Sequence, residues 1–178
     1  SDGSEPERVS VYRKSASEVE VYKMVSRCTN SALVTARFDP ASDDAIALTG
    51  GRLTREGTQQ PFAWLDRSPG TRDLTVRLGA PDAAPVQVVT LPGFSPWRLY
   101  DFDFADFNAL ARPPVRGESR AWSMALAWPD GAPEETLRVM GEMTATWQAR
   151  ERRAGVDAHR YALSGAGFDG GFLWLDAR

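Results

Sequence analysis

Asp101 and Asp103 stand two residues apart in the run Trp97-Arg98-Leu99-Tyr100-Asp101-Phe102-Asp103-Phe104. In an extended chain that spacing puts both carboxylates on one side, roughly 7 Å apart. Such a pair can divide into an acid and a base for glycoside hydrolysis, with Glu142 as a further carboxylate, or can ligate Ca²⁺. No glycine-containing calcium loop surrounds it, and Asp106 follows just beyond. The simpler reading is the solvent side of an edge strand whose aromatics face inward.

His159 is the only histidine and Cys28 the only cysteine. Zinc sites with several His ligands, Cys-based metal sites and an internal disulfide are therefore excluded within this chain. Any Ser-His or Cys-His chemistry would have to use His159 itself. Asp157 and Tyr161 lie two residues to either side of it, on the same face of a strand, so Asp157 is placed to orient the imidazole. A polar hairpin surface explains the same three residues more simply. Cys28 follows Arg27, whose charge would favour the thiolate, but a lone cysteine reads first as a small buried hydrophobe. Ser164-Gly165-Ala166-Gly167 and Gly170-Gly171 lack the following helix and the Lys-Ser/Thr of a phosphate loop, so they read as a hairpin turn. No motif calls for a cofactor.

A second set of residues suits binding rather than bond-making. Trp122, Met124, Leu126 and Trp128 alternate onto one face of an extended segment, and Met143 and Trp147 alternate likewise in the next. Core packing is the leading explanation. A half-open sheet would leave part of that face uncovered, and a large uncovered apolar patch takes a ligand or a partner. The candidate ligand-binding set is therefore Trp122, Met124, Trp128, Met143 and Trp147.

The elements that must position these residues follow from composition and period. The 178 residues are 42% hydrophobic and 25% charged, with six Trp and eight Phe, which excludes a disordered chain. A net charge of −3 with both signs scattered shows no basic face for nucleic acid. The longest apolar runs fall well short of the roughly 20 residues of a membrane-spanning helix. The polar opening at residues 1–7 fits either the start left by a removed export signal or an artificial extension, and the excess of Arg over Lys fits a bacterial source.

Alternation with a period of two dominates the chain and predicts a mainly β protein. Strands are expected around Val9–Val11, Val19–Val25, Ala32–Phe38, Ile46–Leu48 (cut short by Gly50-Gly51), Phe62–Leu65, Leu74–Leu78 and Val86–Leu91. Phe104, Phe107 and Ala111 share a helical face, predicting one short helix over 104–111 that Pro113-Pro114 stops. The expected organisation is a tail at 1–7, a β lobe at 8–111, a linker at 112–118 and a β-hairpin lobe at 119–178, together one continuous domain. In the last lobe Leu137, Val139, Gly141, Met143, Ala145, Trp147 and Ala149 form one side of a long strand. Arg153-Ala154-Gly155 turns the chain, and two more strands pair across 164–171. Phe62-Ala63-Trp64-Leu65-Asp66 and Phe172-Leu173-Trp174-Leu175-Asp176 echo each other.

The order in residues 136–178 resembles the repeated hairpins of LolA/LolB-like half-barrel envelope proteins of bacteria, including relatives of the DUF3108 type. The residues that carry it are the long strand from Arg138 to Gln148, the run from Gly155 to Tyr161 and the ending Leu173-Trp174-Leu175-Asp176. The resemblance implies a strongly curved antiparallel sheet, half-barrel or sandwich-like, export to the periplasm, and a concave apolar face suited to acyl chains. It transfers no functional residue. The sequence thus points to a non-enzymatic envelope protein that binds an apolar small molecule or an envelope protein. A carbohydrate hydrolase using Asp101 and Asp103 and a structural accessory domain are the alternatives.

Overall fold

The computed structural model describes residues 7–25, 31–42, 44–93, 96–100, 117–127, 132 and 135–177. Their strands are β1 (Glu7–Arg13), β2 (Glu18–Val25), β3 (Ser31–Phe38), β4 (Ala45–Leu53), β5 (Gln59–Arg67), β6 (Asp73–Leu78), β7 (Gln87–Thr90), β8 (Trp97–Tyr100), β9 (Ser119–Ala127), β10 (Leu137–Arg153), β11 (Val156–Ser164) and β12 (Phe172–Asp176). They make two sheets, one in the order β1 to β7 and one in the order β12-β11-β10-β9-β8, and neither closes on itself. The protein is mainly β, with almost no helix among the described residues. The helix expected over 104–111 lies outside them. Neighbouring strands run antiparallel except β8 and β9, which are parallel. β8 precedes the 112–118 segment in sequence yet belongs to the second sheet.

The first sheet is a meander in which each strand pairs with the next. Its register sets Val19, Ala36, Leu48, Leu65 and Val76 directly opposite one another across β2 to β6. All five belong to one buried core with Val21, Phe38, Ala45, Leu74 and Leu91. Period-two alternation delivers one apolar residue per strand to each such row, and full burial of each contributes about 1.5–3 kcal/mol for the larger side chains. The row ends at β7, where Val76 faces Gln87.

Gly50-Gly51 does not end a strand, contrary to the sequence expectation. β4 runs through both to Leu53, and the register with β5 shifts there, leaving Phe62 as the extra residue and 44% exposed. At Gly51 a Cβ would lie 2.8 Å from the carbonyl oxygen of Gln60. The glycine is needed because two backbones approach closely, a different role from termination.

β10 is also corrected. Its seventeen residues carry register shifts between Val139 and Gly141 and between Trp147 and Ala149. Each inserts one extra residue, Met140 and Gln148, and each reverses which side chains share a face. Leu137 therefore joins the core of the first sheet, Val139 is 42% exposed, and Met140 packs with Met143 in a second core. Gly141, at φ +103°, allows the first bulge. At the far end Ala154 (φ +49°) and Gly155 (φ +82°) make the two-residue turn into β11, a left-handed pair of the type I′ kind.

Among the described residues the sheets touch through Leu137, which lies in the first core, and through Gln87 and Arg98. Gln87 bonds to the backbone of Leu137. Arg98 of β8, fully buried, sets its guanidinium 5.8 Å from the Phe38 ring centre.

Candidate functional site

The second core is built from three adjacent strands, with a fourth, β12, packed against it. Trp122 and Met124 come from β9, Met143 and Ala145 from β10, and Tyr161 from β11; none is more than 1% exposed. Register explains the grouping: Met143 faces Trp122, Gly141 faces Met124, and Trp147 faces Tyr161, which in turn faces Leu173. Around this floor lies a half-buried apolar rim of Met140, Trp147, Leu163, Leu173 and Leu175. Burial pushes the Tyr161 phenol above its ordinary value.

The loop 164–171 closes one side of the rim by placing Ala166 and Phe168 against it. Gly165, Ala166 and Gly167 all have left-handed backbones. The Gly165 N–H donates to the Asp169 carboxylate at 3.0 Å, and the Phe168 N–H donates to the Gly165 carbonyl at 3.0 Å. The carboxylate already fills the place an incoming phosphate would need, consistent with a turn.

At the other end of the rim the Trp147 indole N–H donates to His159 Nδ1 at 3.2 Å. Nδ1 is thus an acceptor here, so the ring's proton is on Nε2. Asp157 pairs with Arg150 at 2.7 Å. An Asp-oriented base needs an Nδ1–H donated to the carboxylate, and this arrangement has the opposite polarity at Nδ1. A hollow of about 390 Å³ lies here, lined by Trp147, Gln148, Ala149, Arg150 and His159. That volume lies within the range of small-molecule sites.

On the opposite face Glu151 ties the edge strand down. Its carboxylate accepts from the Trp174 indole at 2.7 Å and pairs with Arg160 at 3.3 Å. Arg153 stacks 3.7 Å over the Trp174 ring. The echo between β5 and β12 is shared in one respect: Leu65 and Leu175 both pack against a core.

The remaining candidates are spread out. Glu142 is exposed on β10. Asp101, Asp103, Asp106, Cys28 and Trp128 lie outside the described residues. Among the described residues no three His, Cys, Asp or Glu gather to hold a metal, and no helix is long and apolar enough to cross a membrane. A second, polar hollow of about 510 Å³ sits at one end of the first sheet. There Arg67 bridges the buried Asp44 at 2.8 Å and Asp39 at 3.6 Å. The backbone N–H of Ala41 holds the Asp39 carboxyl below its usual range.

The chain matches no family model, no curated protein and no solved structure. No residue role is carried here from a relative.

Sequence reasoning missed Met140, Tyr161, Leu163, Leu173 and Leu175 as members of this cluster. Gly141 in the middle of a strand was the available signal, because an interior glycine marks a bulge, and a bulge moves Met140 to the Met143 side.

Proposed function

We propose that the protein is a non-enzymatic binding module of the bacterial envelope whose second sheet takes an apolar ligand. The observation that supports this most is the cluster itself: a fully buried Trp/Met/Tyr floor ringed by half-buried Trp147, Met140, Leu163, Leu173 and Leu175, with the hollow beside Trp147. Trp122, Met124 and Met143 are the floor that shapes the site, and Trp147 with the rim leucines is the surface a ligand touches. A molecule with an apolar body fits the rim, and a hydrogen-bonding head fits the hollow, where His159 carries an Nε2–H. Burial of apolar area drives such binding at roughly 25 cal/mol per Å², less the cost of association.

The test is titration with a long-chain fatty acid or an environment-sensitive apolar dye, read by Trp fluorescence. Saturable binding is expected, and Trp147→Ala should weaken it roughly tenfold, the effect of losing about 55 Å² of apolar contact. Signal that rises without saturation, or equal binding by Trp147→Ala, overturns the reading.

A further inference from the structure

The Trp147 indole is held to the rim by a bond whose acceptor can change its nature. Its N–H donates to Nδ1 of His159 at 3.2 Å. An imidazole accepts only at a nitrogen without a proton, and an imidazolium carries protons on both nitrogens. The bond therefore exists with neutral His159 alone. Turning the ring over gives no second solution, because either nitrogen of the charged ring meets the indole as a donor. Histidine changes charge between about pH 8 and 5, and His159 is the only one in the chain.

The surroundings leave the indole room to move. Trp147 is half-buried, unlike the floor beneath it, and the hollow of about 390 Å³ opens beside it. On β10 Arg150 stands directly opposite His159, and Arg152 opposite Asp157. On β11 Asp157 and Tyr161 flank His159 on its own face, and Arg150 already holds the Asp157 carboxylate at 2.7 Å. β12 sets Leu175 opposite His159 and, among the described residues, brings no charge to that face. Beyond Trp147, β9 contributes Arg120, opposite Ala145, and Glu118, whose carbonyl accepts the Trp147 backbone N–H at 3.4 Å. Glu151 and Arg160 pair on the other face.

We propose that Trp147 and His159 form a pH-sensitive latch on the apolar rim. Neutral His159 holds the indole down. Protonation at Nδ1 sets donor against donor and releases the ring toward the hollow. An indole N–H stripped of its acceptor in a half-buried place is unfavourable, and turning outward lets water replace the lost bond. The consequence for a ligand rests on the binding reading above: the released ring withdraws part of the surface that a ligand touches, so acid weakens the grip.

Nuclear magnetic resonance of the ligand-free whole chain tests the latch between pH 8 and 5. The Trp147 indole signal is the one that disappears in Trp147→Phe. At pH 8 its proton should show a nuclear Overhauser contact with the His159 ring. That contact should vanish in a single-proton step as His159 becomes charged, with the other indole signals staying in place. His159→Asn sets an amide oxygen where Nδ1 stood and does not titrate, so its Trp147 signal should stay fixed. A neutral apolar dye reads the consequence. Its dissociation constant should rise about fivefold from pH 8 to 5 in the native chain, the factor carried by one hydrogen bond, and stay the same at both in His159→Asn. A contact that persists beside a charged His159, a His159 still neutral at pH 5, or equal native affinity at both pH values overturns the proposal. A dye that binds at neither pH, while the contact is lost on acidification, strikes the binding reading and keeps the latch.

Discussion

The side-chain amide of Gln87 grips the backbone of Leu137 from both sides: its Nε2 donates to the Leu137 carbonyl at 2.8 Å, and its Oε1 accepts the Leu137 N–H at 2.7 Å. A side chain fifty residues away thus supplies the partner that a neighbouring strand would otherwise give. Gln87→Ala should lower unfolding free energy by about 2 kcal/mol, from two part-buried bonds. Gln87→Glu sets a carboxylate oxygen against the Leu137 carbonyl oxygen, so a loss at least as large is expected. Urea denaturation measures both, and a Gln87→Ala midpoint equal to native would show the grip to be energetically idle.

Two left-handed positions should respond in opposite directions. Gly165 has φ +76°, and a Cβ there would overlap the carbonyl oxygen of Glu142. Gly165→Ala should cost about 2–4 kcal/mol, since neither the backbone angle nor the neighbouring strand can give way cheaply. Ala154 has φ +49° at the first position of its two-residue turn, where Asn is the favoured residue. Ala154→Asn should raise stability by about 0.5–1 kcal/mol. Thermal melts of the two variants should move apart in sign.

Arg67 and Asp44 make a further, sharper test. Asp44 is 4% exposed and its carboxylate meets Arg67 at 2.8 Å. Removing the cation takes a charge partner away from a buried carboxylate, so Arg67→Met should destabilise by about 3 kcal/mol at neutral pH. Pairing it with Asp44→Asn should recover a good part of that loss. A double variant as unstable as the sum of the singles would show that the two side chains do not couple.

Tyr161 should make the protein sensitive to alkali. Its buried phenol ionises at higher pH in the folded chain than in the unfolded one, where the ordinary value is 10.0. Below that value both states keep the proton and the contribution is fully present. As pH rises above it the unfolded chain releases its proton first, so stability falls until the folded phenol ionises too. Tyr22, raised by its hydrogen bond to Glu20, acts in the same direction. Tyr161→Phe should flatten the decline in urea midpoint above pH 10.0, and an unchanged slope would remove Tyr161 as its source.

Much of this fold is legible in the residues. Alternation alone places Val19 with Val21 and Leu74 with Val76, and Ala154-Gly155 announces the turn between β10 and β11. The bulges at Phe62 and Met140 are not legible in the same way. One added residue leaves composition untouched and reverses the faces beyond it, so Leu137 and Met143 read as neighbours although they serve different cores. Gln87 is equally opaque, because a glutamine in a strand reads as solvent-facing until the backbone it meets is known. For the site, Trp122, Met143 and Trp147 stand out by type and period. Tyr161 and the leucines of β11 and β12 depend on strand pairing, which no local pattern records.

Since β10 gives Leu137 to one core and Met143 to the other, with only the Met140 bulge between them, unfolding of either sheet uncovers apolar surface on the strand that its neighbour depends on. The molecule should therefore lose its structure as one cooperative unit, and amides of β4 and of β11 should become exchangeable through the same global opening.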